Sequence, residues 1–106
     1  MYGFIVTTHF NNYATIKKCI DLLFNSVPTD SFIVLYVNET TCKDVLNIKN
    51  DYLLYQHKFD VIYIDNQEKH GGLTGTWNNG INYLLNKNDF LCKVITILGH
   101  DTFVNK

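Results

Sequence analysis

The chain has no arginine: all nine of its basic residues are lysine, set against ten acidic ones for a net charge of −1 over 106 residues. With no basic field, no nucleic-acid surface is expected, and without the planar guanidinium fork phosphate must be gripped by other means. The three cysteines, Cys19, Cys42 and Cys92, are odd in number, widely spaced and free of any C-x-x-C pattern. They read as reduced, partly buried thiols rather than a disulfide framework or a zinc site, which makes the expected compartment cytoplasmic. No apolar run approaches the roughly 18 to 20 residues of a membrane helix, and no charged n-region precedes the first strand-like segment, so a soluble, unprocessed protein is expected. Two phosphate motifs are also missing. There is no G-x-x-x-x-G-K-[ST], and the glycine cluster follows the third strand where a dinucleotide fingerprint would follow the first. No serine sits on a G-x-S-x-G turn and no cysteine ends a strand beside an obvious base, which excludes the common hydrolase arrangements.

What is present suffices for one packed domain over residues 1–106, since 46% of the residues are hydrophobic and 14% aromatic. Residues 3–8 (GFIVTT) form a β-branched run of the kind buried on both faces of a sheet. From Asn12, a candidate N-cap, the positions Tyr13, Ile16, Ile20, Leu23, Phe24 and Val27 step by three and four, and Pro28 ends the helix they define. Residues 31–37 (SFIVLYV) give a second buried-type strand. Thr41, with Asp44 three places on, resembles a capping box opening a helix that carries Val45 and Leu46 and extends toward Leu53 and Leu54. Residues 52–57 read either as its continuation or as a separate turn. A third strand, residues 61–65 (VIYID), runs into the small-residue cluster Gly71, Gly72, Thr74, Gly75 and Thr76, then into a helix whose face is Leu73, Trp77, Ile81, Leu84 and Leu85. After a loop at 86–89, residues 93–98 (KVITIL) form the fourth strand.

Strands alternating with helices imply an α/β fold: a three-layer, Rossmann-like, mostly parallel sheet of about four strands with helices on both faces. Each strand ends in a polar cluster, at residues 7–11, 38–41, 65–66 and 99–102. In a parallel sheet these ends share one edge, where ligands bind near the reversal of strand order. The turn from the third strand into its helix would bring free N–H groups and a helix N-terminus to the same edge, which suits phosphate or carboxylate; equally, its glycines would serve only close helix–sheet packing.

Several residues could do chemistry there. Asp101, just past a buried strand, is placed to hold a metal ion bridging a diphosphate, or to cap the next element; His100 is a second ligand or a loop residue. Asn38 and Glu39 could hydrogen-bond a ribose or base, or simply build a turn. Phe10 could stack on a base or staple a helix start.

The segments 72–81 (GLTGTWNNGI) and 97–102 (ILGHDT), with 5–11 (IVTTHFN) and 37–41 (VNETT), resemble in order and spacing four segments of the family-2 glycosyltransferases of GT-A fold, in their rhamnosyltransferase-like branch. The resemblance spans essentially the whole chain. It implies that Thr8 and Phe10 border the base of a nucleoside-diphosphate sugar of UDP or dTDP type, that Asn38 stands where the family has a base-contacting Asp, and that Gly72, Gly75 and Asn78 belong to the donor-binding segment. Asp101 takes the place of the last Asp of the family's D-x-D motif, implying a divalent cation, Mn²⁺ or Mg²⁺; Gly99 replaces the first Asp.

In that family an acceptor half supplies the general base, and this sequence ends four residues after Thr102 with nothing that matches it. No catalytic residue is therefore identified, and the chain is expected to be a fragment, to rely on a partner, or to keep the fold without the chemistry. The alternative function is a non-catalytic domain acting through self-association, as a homodimer, or through a partner covering an open sheet edge. A flavodoxin-like or response-regulator-like domain fits less well, and against the latter Thr7, Thr8 and His9 stand where an acidic pair would end the first strand.

Overall fold

A computed structural model describes residues 2–8, 12–65, 69, 71–86 and 94–99. Along the chain these form β1 (Tyr2–Thr8), α1 (Tyr13–Ser26), β2 (Ser31–Asn38), α2 (Lys43–Leu46), a 3₁₀ helix (Ile48–Tyr55), β3 (Phe59–Ile64), α3 (Gly72–Leu85) and β4 (Val94–Gly99). The four strands make one sheet in the order β3-β2-β1-β4, every pairing parallel. This is the expected Rossmann-like α/β architecture, with strand order reversing between β1 and β4.

Position in the sheet follows from side-chain pattern. β2 is buried at every residue and β1 at nearly all of its later ones, as continuous apolar runs require of inner strands. β3 and β4 mix buried or half-buried residues with exposed ones and form the two edges of the described sheet. One sheet face packs Val6, Ile33, Leu35 and Val61 against Ile16, Ile20 and Leu23 of α1 and Ile48 and Tyr52 of the 3₁₀ helix. The other packs Ile5, Phe32, Val34, Tyr36 and Ile64 against Leu84 of α3. Helices thus cover both faces, and each fully buried aliphatic side chain contributes about 1.5–3 kcal/mol.

α1 starts where its sequence signal lies: the Asn12 side chain accepts a hydrogen bond from the Thr15 backbone N–H at 3.1 Å. It stops at Val27, whose extended ψ of 155° is what a residue before proline adopts. Tyr52 Oη donates to Asp21 at 2.7 Å, and the Phe24 ring stacks on Tyr55 at 4.4 Å, so α1 and the 3₁₀ helix are fastened together.

Three expectations need correction. Strand ends move by a residue or two: β3 begins at Phe59 and ends at Ile64, and Asn38 is the last residue of β2 rather than part of a turn. The helix expected from Thr41 has Cys42 as its N-cap, with no side-chain capping bond, and ends at Leu46. The chain then winds as a 3₁₀ helix with a kink at Tyr52, so the inward stripe shifts to Val45, Ile48 and Tyr52 while Leu53 and Leu54 face solvent.

The third correction concerns α3. Only Gly71 stays outside as a left-handed N-cap (φ 87°); Gly72 opens the helix at φ 67°, and Thr74, Gly75 and Thr76 are helical rather than a loop. The buried stripe is Thr76, Gly80 and Leu84, with Leu73 and Leu85 exposed. The reason is distance. A Cβ on Gly80 would fall 2.9 Å from Ile5 Cδ1, so α3 crosses the sheet too closely for large residues on its inner side.

Candidate functional site

With every strand parallel, the carboxyl ends of β1 to β4 share one edge of the sheet. There a cleft of about 650 Å³ opens between the ends of β2 and β3, lined by Val37, Glu39, Thr40, Thr41, Leu46, Tyr63, Ile64 and Asp65. Its volume is that of a small-molecule site. Tyr63 Oη donates to the Leu46 carbonyl at 2.6 Å and Thr40 Oγ1 accepts from the Cys42 N–H at 3.2 Å, which fixes the α2 wall. Glu39 sits on the rim in the left-handed region (φ 53°), a conformation sparsely used by residues with a Cβ, while its N–H extends the sheet to the Ile64 carbonyl at 2.7 Å.

Asn38, between two lining residues, is 0% exposed, yet neither its Oδ1 nor its Nδ2 has a hydrogen-bond partner among the described residues. Two further buried side-chain atoms share this condition: Trp77 Nε1 and, on the first residue of β2 at the opposite edge, Ser31 Oγ. A buried amide without partners costs about 1–3 kcal/mol, so its retention requires a reason.

The side of the sheet on which Asn38 lies follows from strand alternation. Phe32, Val34 and Tyr36 face α3, and Asn38 continues that series. Its height follows from α3. Gly80 stands over Ile5; from there back to Gly72 is about 12 Å of helix, equivalent to between three and four residues of strand, which reaches just past Thr8. Thr8 pairs with Val37, so Asn38 stands level with the first turn of α3 on the same face.

The expected site residues divide accordingly. Asn38, Glu39 and Gly72 are brought to the carboxyl edge. Thr8, fully buried, also lies there, but in register with Val37 it faces the α1 side, opposite to Asn38. Gly75 donates its N–H to the Gly71 carbonyl at 3.1 Å, so that group is spent inside the helix. Asn78 is exposed, two positions past the buried Thr76, and is not gathered with the others. Phe10, His100 and Asp101 lie outside the described residues. Among the described residues no three His, Cys, Asp or Glu side chains gather to hold a metal ion. No helix among them is long and apolar enough to cross a membrane.

Sequence reasoning missed the contributions of Tyr63 and Leu46 to the cleft and the unpartnered indole of Trp77. Tyr63, the single aromatic in the run 61–65 (VIYID), was the available signal for the first; Trp77 was hidden by its apolar helical spacing. Titration behaviour does not single out this edge. Burial pushes the Tyr63 phenol up, and the groups moved furthest, Tyr52 and Tyr83, are raised by burial and by hydrogen bonds to Asp21 and Asp60 away from the cleft.

No family model, characterised protein or solved structure matches this chain. The fold class therefore stands on strand order and packing, and function must be argued from the edge itself.

Proposed function

We propose that the chain is a GT-A-like domain that binds a nucleoside-diphosphate sugar across the carboxyl edge of its sheet, the donor half of a glycosyltransferase. The observation that carries this is the fully buried amide of Asn38, without a partner among the described residues, at the carboxyl edge on the face of the sheet opposite to Val37 and Tyr63 of the cleft. An amide offers both a donor and an acceptor, the pair needed to engage the edge of a pyrimidine or purine base, and ligand contact would repay the cost of its burial. The sequence resemblance puts a base-contacting residue at the same position. Asp101 would hold the divalent cation, which would supply positive charge to the diphosphate.

Calorimetric titration with UDP, GDP and dTDP, with and without Mn²⁺, on the wild type, Asn38→Ala and Asp101→Ala provides the test. Binding that Asn38→Ala abolishes supports the donor site, and an Mn²⁺ dependence lost in Asp101→Ala supports the cation. A folded protein that gives no heat with any of the three refutes both.

A second reading is favoured by β4, an edge strand of the described sheet whose Val94 and Ile97 are exposed. On that reading the domain acts by self-association or by binding a partner along this edge. A concentration-dependent dimer by sedimentation, unaffected by nucleotides and broken by Ile97→Lys, would support it.

A further inference from the structure

We infer that the first turn of α3 is an anion seat that takes the diphosphate of the ligand on backbone N–H groups. The identity of the ligand rests on the nucleotide reading above; the seat itself rests on two separate observations.

The first is the state of the helix start. The N–H groups of an initial helical turn have no intrahelical acceptor, and they carry the positive end of the macrodipole. In α3, which is 14 residues long, Gly71 as N-cap provides no side-chain oxygen, no side chain among the described residues caps the turn, and no acidic residue lies within it. Among the described residues the site is also open, because a Cβ built on Gly72 would meet nothing within 4 Å. With φ of 87° and 67°, Gly71 and Gly72 hold a backbone that residues with a Cβ rarely adopt, so the opening is built into the chain.

The second observation is Asn38. It is fully buried, its amide is without a partner among the described residues, and it stands on the α3 face at the height of this turn. An acceptor bound at the turn would lie on the side of the sheet that Asn38 faces, within the same edge. A phosphate oxygen is an acceptor for both the N–H groups and Nδ2, and Oδ1 is left for a donor on the base or ribose. The chain's lack of arginine fits a seat built from main-chain donors.

The test is calorimetry in EDTA with pyrophosphate, UDP and uridine on the wild type, Leu73→Asn and Leu73→Asp. Leu73 lies in the first turn and is 40% exposed, and the two replacements have the same shape and differ in charge. A carboxylate there suits the helix dipole, so Leu73→Asp should unfold no earlier than Leu73→Asn, which separates binding from folding. The expected result is metal-independent binding of pyrophosphate and UDP that weakens at least tenfold in Leu73→Asp relative to Leu73→Asn, with uridine indifferent to the exchange. UDP binding tighter than pyrophosphate identifies a nucleotide as the source of the anion. Absence of pyrophosphate and UDP binding in EDTA, or equal affinity in the two variants, overturns the seat. Uridine and UDP both bound, with the affinity for UDP equal in the two variants, would sink the seat and spare the nucleotide reading; pyrophosphate discriminated by charge while uridine fails to bind and UDP gains nothing would do the reverse.

Discussion

Replacing Asn38 by valine should make the ligand-free protein more stable while removing its binding. Asn38 is the last residue of an inner strand, 0% exposed, with both amide atoms unpartnered among the described residues. An unsatisfied buried amide carries a desolvation penalty of about 1–3 kcal/mol, and a β-branched residue in a strand adds up to about 1 kcal/mol in its favour. Valine is close to asparagine in size, so the opposing overpacking cost, about 1–3 kcal/mol when methylenes are forced into a full core, should be small. The net expectation is a gain of about 1–3 kcal/mol, or about 5–20 °C in Tm for a domain of this length. Urea unfolding of ligand-free protein measures it, with an unchanged m-value as the sign that both states remain comparable. Asn38→Ala separates the terms, since it removes the amide without adding bulk. If both variants lose 1 kcal/mol or more, the amide is hydrogen-bonded in the free protein and the argument for a ligand at this position fails. A stability gain together with lost UDP binding is the outcome expected if Asn38 contacts a nucleotide.

Three further predictions concern packing and pH. Gly80→Ala should cost about 1 kcal/mol net, the strain of a Cβ against Ile5 less the roughly 1 kcal/mol that alanine gains over glycine in a helix. Combining it with Ile5→Val, which removes the atom 2.9 Å away, should recover at least about 0.5 kcal/mol in a double-mutant cycle; strict additivity would contradict the close crossing of α3. At Asp60, burial alone would raise the carboxyl, but hydrogen bonds from Lys49 at 2.8 Å, from Tyr83 at 2.5 Å and from the Val61 N–H, with the Lys49 charge, hold it below its ordinary 3.8. Its contribution to stability is therefore full above that ordinary value and is lost as pH falls through the lowered one, so Asp60→Asn should flatten the acid limb of the stability curve. Tyr13, raised to about 12 chiefly by its hydrogen bond to Asp51, has the opposite sign: its contribution is present below its ordinary 10.0 and disappears as pH rises toward 12. Tyr13→Phe should remove that alkaline loss, read by urea unfolding at successive pH values.

Much of the fold was legible because it is written in local periodicity. Phe4 to Val6 and Phe32 to Val37 are unbroken apolar runs, which suit an inner strand, and Asn12 and Pro28 mark the two ends of α1 through capping and the restriction on a residue before proline. The alternation of such strands with helices selects a parallel sheet, and so places the polar strand ends on one edge. Where the reading failed, the deciding quantity was a distance between elements remote in sequence. The spacing of Leu73, Trp77 and Ile81 names an apolar face of α3, yet the helix turns Thr76 and Gly80 inward because Ile5 of β1 comes too near for anything larger.

The candidate site divides along the same line. Sequence alone determined that Asn38, Glu39 and Gly72 would reach the carboxyl edge, since each follows directly from its place at the end of a strand or the start of a helix. Only the tertiary structure decided which of the expected residues share a side. Thr8 and Asn38 were grouped by their positions at strand ends, but the β1–β2 register sets Thr8 opposite Val37, and the two-residue alternation of a strand then turns Thr8 and Asn38 to opposite faces. The close crossing of α3 likewise brought its first turn level with Asn38, a relation between residues 34 positions apart that no local pattern encodes.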